Sequence, residues 1–205
     1  MSKQAKLELD TDIPNAGEHN KESILYEYDR AIDRLARLYA FANCLPPEYA
    51  EISSISARLA KDDLLNFCIH CRRLLEETKM VPLAKRIRVP NCRFSKADDR
   101  VRLLTRKPGE TVWSLVNAAI HHDYFDVFST RLHVELWIFN NKSHEALLAE
   151  RQRFYPVFVF RSKQTRMICF RAREFVEAVA DRVLEPLVDA LSSKGVYVER
   201  DMREF

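Results

Sequence analysis

Residues 157–194, VFVFRSKQTRMICFRAREFVEAVADRVLEPLVDALSSK, switch from strand-like to helical patterning within a few positions. Val157 to Phe160 and Met167 to Phe170 are short apolar runs of β-formers, and Arg161 to Arg166 between them is polar and basic. This spacing predicts a hairpin with a six-residue loop. From Arg173 the apolar residues Phe175, Val176, Val179, Val183, Leu187, Val188 and Leu191 recur at threes and fours, predicting a helix to about Lys194. Pro186 lacks an N–H and predicts a kink, and Gly195 fits a C-terminal cap. Val196 to Val198 reads as an edge strand.

Upstream, the helical period dominates. Leu25, Tyr28, Ile32, Leu35 and Tyr39 predict an amphipathic helix from Lys21 to about Cys44, ended by Pro46-Pro47. A second helix is expected from Glu48 to Thr78, with a break near Lys61-Asp62-Asp63, where an acidic pair suits a helix N-terminus. On it Leu64, Cys68, Cys71 and Leu75 share one stripe, and Asn66, His70 and Arg73 the neighbouring one. Residues 82–108 read as a long connection with short strands. Pro108-Gly109-Glu110-Thr111 opens a third helix, with Val112, Leu115, Val116, Ala119 and Ile120 on its buried face and an end near Phe125. Thr130 to Phe139 alternates as a strand, and Glu145 to Arg153 reads as a short helix.

The order predicts an α+β fold. A flexible arm (1–20) precedes a bundle of three helices (21–128), and a small antiparallel sheet with a C-terminal helix (129–205) packs on the bundle as one unit. At 205 residues, 47% hydrophobic and 31% charged, the chain has an ordinary globular balance. It holds no apolar run long enough to span a membrane and no signal-like start, so a cytoplasmic location is expected. The three glycines, Gly17, Gly109 and Gly195, are too dispersed for a phosphate-cradling P-loop or a dinucleotide-binding turn. No G-x-S-x-G elbow occurs, and the paired acids are sequence neighbours that point apart on a helix. A non-enzymatic role is the expected one, with no cofactor.

A net charge of +3 hides strong segregation. Residues 1–71 carry 8 basic against 12 acidic side chains, and residues 72–107 carry 12 against 4. Residues 108–150 return to 2 against 6, and residues 151–173 hold seven Lys/Arg and no acid. Two basic blocks in an acidic protein suit RNA or another polyanion, because fixed cations release counterions from phosphates. Lys85, Arg86, Arg88 and Arg93 in the first block, and Arg161, Lys163, Arg166 and Arg171 in the second, are the candidate phosphate contacts. Simple solvated faces are the alternative. Phe154, Tyr155, Phe158, Phe160 and Phe170 interleave with the second block, either to stack bases or as the inner face of a sheet packed on the last helix.

Asn66-Phe-Cys-Ile-His70 and Asn117-Ala-Ala-Ile-His121 form a near-repeat, each placing Asn and His four apart on one helical face. If the helices pack antiparallel, both pairs can line one polar groove with Arg72 or Arg73 and His122, suited to acid–base work or to a phosphate or base. Separate structural roles for the histidines are the alternative. Cys68-Ile-His-Cys71 has the spacing of half a zinc site, but the other ligands are missing, so these are expected to be buried core thiols and no metal is expected. An odd total of five cysteines fits reduced thiols.

Leu64-Leu-Asn-Phe-Cys-Ile-His-Cys-Arg-Arg-Leu-Leu75 resembles the Ile-His-x-Arg-x-Leu helix of small uncharacterised bacterial proteins related to HEPN helical domains. Trp113-Ser-Leu-Val-Asn-Ala-Ala-Ile-His-His122 resembles their second helix, Asn-x-x-Ile-x-His. The resemblance spans roughly residues 55–125 and implies a helical fold and dimerisation. Ribonucleases of that family use an Arg separated from a His by four to six residues. The nearest upstream arginines here, Arg58 for His70 and Arg106 for His121, do not match that spacing. Three functional expectations follow: polyanion binding through 85–107 and 161–173; as the alternative, a homodimeric protein-interaction module; and, third, a ribonuclease at His70 and His121.

Overall fold

Each of the first two helices buries an apolar stripe, but on the first it is turned from the expected one: Tyr28 and Leu35 are buried as expected, Leu25 and Ile32 are half-buried and Tyr39 is exposed. The computed structural model describes residues 18–43, 50–97, 100–128, 156–162, 167–193 and 195–197. Most of the expected arm, the Pro46-Pro47 stop, the strand over 130–139 and the short helix over 145–153 lie outside the described residues. α1 (Glu18–Asn43) buries Ile24, Tyr28, Ala31, Leu35, Leu38 and Ala42. α2 (Ala50–Glu77) buries the predicted Leu64, Cys68, Cys71 and Leu75. Contacts rise along α1 as they fall along α2, from Ser23 with Glu77 through Glu27 with His70 to Arg34 with Asp63, so the two helices are antiparallel. The expected break at Asp62-Asp63 is absent. Asp63 meets the Arg34 guanidinium at 2.7 Å, which satisfies its charge in mid-helix without a helix N-terminus.

The connection expected over 82–108 is an ordered ribbon instead. After one turn of helix, α3 (Val81–Ala84), strands β1 (Arg88–Ala97) and β2 (Arg100–Thr111) pair antiparallel from Arg88 opposite Thr111 to Ala97 opposite Arg100. The register shifts between Val89 and Asn91, at Pro90, which has no N–H to give the ladder. Gly109 is one of the extra β2 residues at this irregularity, where an added Cβ would overlap the Val89 carbonyl oxygen.

α4 (Val112–Ile120) starts where the sequence predicts, with Ser114 N–H donating to Thr111 Oγ1 at 3.0 Å as an N-cap. It stops earlier than expected. His121 caps it, and residues to Phe128 form β3 (His122–Phe128), in which Phe125 and Val127 are buried between half-exposed neighbours, a strand period.

The predicted hairpin is present as β4 (Val157–Ser162) and β5 (Met167–Arg171), and the second sheet has the order β3-β4-β5, antiparallel throughout. Three helices followed by one sheet is thus corrected to two packed N-terminal helices, two small antiparallel sheets with α4 between them in the chain, and a C-terminal helix. The α+β class stands. Phe158, Phe160 and Phe170 are fully buried, and Phe170 packs on Phe175 at 5.3 Å between ring centroids. These aromatics form the inner face of the sheet against the helices. Val159 and Cys169 on the opposite face are buried as well, and so is Cys92 of β1.

The last helix is continuous, made of α5 (Ala172–Val179), a π-helical turn (Ala180–Leu184) and α6 (Glu185–Ser192). The π turn immediately precedes Pro186, whose missing N–H and bulky ring remove the regular hydrogen bond at that point. At the end Val196 N–H donates to Leu191 O and Gly195 N–H to Ser192 O, both at 3.1 Å, with Gly195 at φ 73°, a Schellman cap. The edge strand expected over 196–198 is not formed at Val196 or Tyr197, since the cap takes the Val196 N–H.

Candidate functional site

α2 carries the predicted polar stripe along the seam with α1. His70 Nδ1–H donates to Glu27 Oε2 at 2.6 Å, and Arg73 Nη1 donates to Glu27 Oε1 at 3.2 Å. Glu27 is only 6% exposed, so its carboxylate is withdrawn from water and held by two donors on α2. Tyr26 lies edge-on to the His70 ring at 6.2 Å, with Arg30 over the Tyr26 face at 5.4 Å.

His121 belongs to a different cluster. From the C-cap of α4 its Nε2 accepts a hydrogen bond from Arg72 Nη1 at 3.2 Å. Arg72 also donates from Nε to Glu76 Oε1 at 3.0 Å, and its guanidinium carbon lies 5.9 Å from the centroid of the Trp113 ring. Neither asparagine reaches a neighbouring helix: Asn66 Nδ2 donates to Asp62 O and Asn117 Nδ2 to Trp113 O, each one turn back on its own helix. His122 donates from Nδ1 to Ala119 O at 2.6 Å and packs against Phe125 and Phe160. His70 is therefore bonded to Glu27, which it shares with Arg73, and His121 to Arg72, so the two histidines have different partners.

The cationic candidates separate clearly. Lys85, Arg86 and Arg88 are exposed at the base of the ribbon, where Arg88 Nη1 donates to Gly109 O at 2.8 Å. Residues opposed across an antiparallel ladder share a face. Arg93 with Leu104, Ser95 with Arg102 and Ala97 with Arg100 therefore fall on one face, and Cys92 with Thr105, Phe94 with Leu103 and Lys96 with Val101 on the other. Cys92 is buried, and Arg93, Arg100 and Arg102 take the alternate phase of the ladder. Arg161 is exposed at the end of β4, whereas Lys163 and Arg166 lie outside the described residues. Arg171 is half-buried and pairs with Glu174 at 2.9 Å, which commits its charge within the fold.

The thiols are core groups. Cys68 and Cys71 are fully buried, and burial pushes Cys71 from the ordinary 9.0 up to about 12 and Cys68 well upward. Burial likewise lifts Cys92 to about 11 and raises Cys169 strongly. Among the described residues no three His, Cys, Asp or Glu side chains gather as a metal site, and no helix is long and apolar enough to cross a membrane.

Sequence reasoning missed Glu27 and Trp113. Glu27 was detectable as an acid set among Ile24, Tyr28 and Ala31 on the apolar stripe of α1, a position that demands buried partners. Trp113 carried no local signal, because its Arg72 partner comes from another helix. Comparison with protein-family models, curated proteins and solved structures gives no match to this chain. The likeness to HEPN proteins rests on the two helix motifs alone.

Proposed function

We propose that this protein binds RNA or another polyanion along the arginine-bearing face of the β1–β2 ribbon. The reading rests on one observation, the ladder register that groups Arg93, Arg100 and Arg102 on the face opposite buried Cys92. Spaced cations on a two-stranded ribbon match a phosphate backbone, and exposed Lys85, Arg86 and Arg88 extend that charge to the ribbon base. The β4–β5 hairpin contributes less than its sequence suggests: its aromatics are core, Arg171 is committed to Glu174, and Arg161 is the exposed cation among its described residues. Charge reversal at two positions, Arg93→Glu with Arg102→Glu, should weaken binding of a labelled single-stranded oligoribonucleotide by about tenfold or more at moderate salt. Unchanged affinity in a folded double variant removes the reading.

A homodimer is the second reading, favoured by Ile55 and Leu59, which stand one turn apart on α2 and are 47% and 55% exposed. Arg58 and Asp62 flank them and form no ion pair among the described residues, so two antiparallel copies of α2 would bring Arg58 of one against Asp62 of the other. A monomeric mass by light scattering at about 100 μM, far above the Kd of a stable dimer, would dismiss it.

A further inference from the structure

We infer that the guanidinium of Arg72 is a stacking platform for an unpaired nucleobase, so that the polymer bound by the ribbon is single-stranded nucleic acid. This rests on the polyanion reading and narrows it.

Arginine side chains are normally mobile, and most of their cost as ligands is the entropy of holding the plane still. Arg72 is already held on three sides. Nε is bonded to Glu76, Nη1 is bonded to His121, and one face lies over the half-buried Trp113 indole. The side chain stays about one-third exposed (32%), which leaves its surface within reach of a ligand.

The local charge decides between a phosphate and a base. Glu76 lies 3.0 Å from Arg72 and offsets its charge, and a carboxylate so close repels an incoming phosphate. The delocalised plane is not cancelled by that pairing, and a base is a broad π-face that stacks on a guanidinium. His121 adds a directional group. Because Nε2 accepts from Arg72, the ring proton sits on Nδ1, and the exposed histidine offers that N–H to a base carbonyl or ring nitrogen. The platform is also in the right place: β2 ends at Thr111 and Trp113 is in the first turn of α4, so a strand leaving the base of the ribbon meets it next.

The test uses Trp113 as its own reporter. The chain has two tryptophans, so Trp137→Phe leaves Trp113 as the sole tryptophan, read with excitation at the red edge where tyrosine does not absorb. This variant is titrated with single-stranded oligouridylate and, separately, with inorganic polyphosphate of equal charge. The platform predicts a change in Trp113 emission with oligouridylate and none with polyphosphate. It also predicts that Arg72→Lys, which keeps the charge and removes the plane, lowers the preference for oligouridylate over polyphosphate by about tenfold. Binding of both polymers with silent Trp113 emission and an unaltered preference overturns the platform and leaves the ribbon reading standing. Binding of neither polymer overturns both.

Discussion

Glu27 and His70 are joined across the α1–α2 seam by a 2.6 Å hydrogen bond from the imidazole to a carboxylate that is 6% exposed. With Arg73 on the other oxygen, Glu27 receives a donor at each end from one helix. Glu27 thus anchors one point of the seam by its buried charge, as Asp63 with Arg34 does at another. Glu27→Gln keeps the shape but gives His70 and Arg73 a weaker, neutral acceptor, and should cost about 1–3 kcal/mol of stability. Thermal unfolding should shift down by about 3–8 °C. Asp33→Asn, which removes the exposed pair with Arg37, should stay within about 0.5 kcal/mol. Equal effects of the two substitutions would contradict the special place given to Glu27.

The thiols give a prediction in pH. Cys71 and Cys92, raised to about 12 and about 11 by burial, stay protonated in the folded chain where an unfolded thiol, near 9.0, ionises. The folded state thus holds more protons in that range, and stability falls as pH rises above the unfolded value. The contribution is complete below about pH 8 and declines progressively from pH 9 toward 12, which urea midpoints along a pH series will register. Cys44 lies outside the described residues, so Cys44→Ser isolates the four buried thiols. In that background thiol labelling at pH 8 should keep pace with unfolding. Fast labelling of Cys92 in the folded protein would contradict its burial.

Gly109 is tested by one methyl group. Its missing Cβ makes room for the Val89 carbonyl at the ribbon base, where residues 107–109 of β2 bulge opposite Pro90. Gly109→Ala should open this end of the ladder at a cost above about 2 kcal/mol, because the obstacle is backbone. It should also weaken polyanion binding by displacing Arg88, which donates to the Gly109 carbonyl. A neutral substitution would mean that the two strands are not held this closely.

Elements with a strong local period were legible in the sequence. The stripe of α2, the β4–β5 hairpin and the C-terminal helix with its Gly195 cap could all be read from neighbouring residues, as could the existence of α1, although its buried face runs through Ile24, Ala31 and Leu38 rather than Leu25, Ile32 and Tyr39. The ribbon could not. Pro90 interrupts β1 near its start, Leu103 and Leu104 are adjacent in β2, and Asp98-Asp99 is not a strong hairpin-turn pair, so neither strand alternates cleanly. His122 to Phe128 was read partly into the preceding helix because its aromatics also satisfy a helical spacing, and pairing with β4 decides for strand. The candidate site was half legible. The Asn66, His70 and Arg73 stripe was visible on one helix, but the bonds of His70 to Glu27 and of Arg72 to His121 join residues 43 and 49 positions apart. Spacing within a helix cannot report such contacts.

The most direct test of polyanion binding is the salt dependence of affinity for a single-stranded oligoribonucleotide, compared between the wild type and the Arg93→Glu, Arg102→Glu variant. Each phosphate contact to a single strand contributes about 0.7 to the slope of log affinity against log salt. The account predicts a steep wild-type slope, with affinity falling by about tenfold or more between 50 and 200 mM salt, and a variant slope shallower by at least about 1.4. Identical slopes, or wild-type affinity that is flat with salt, would contradict it.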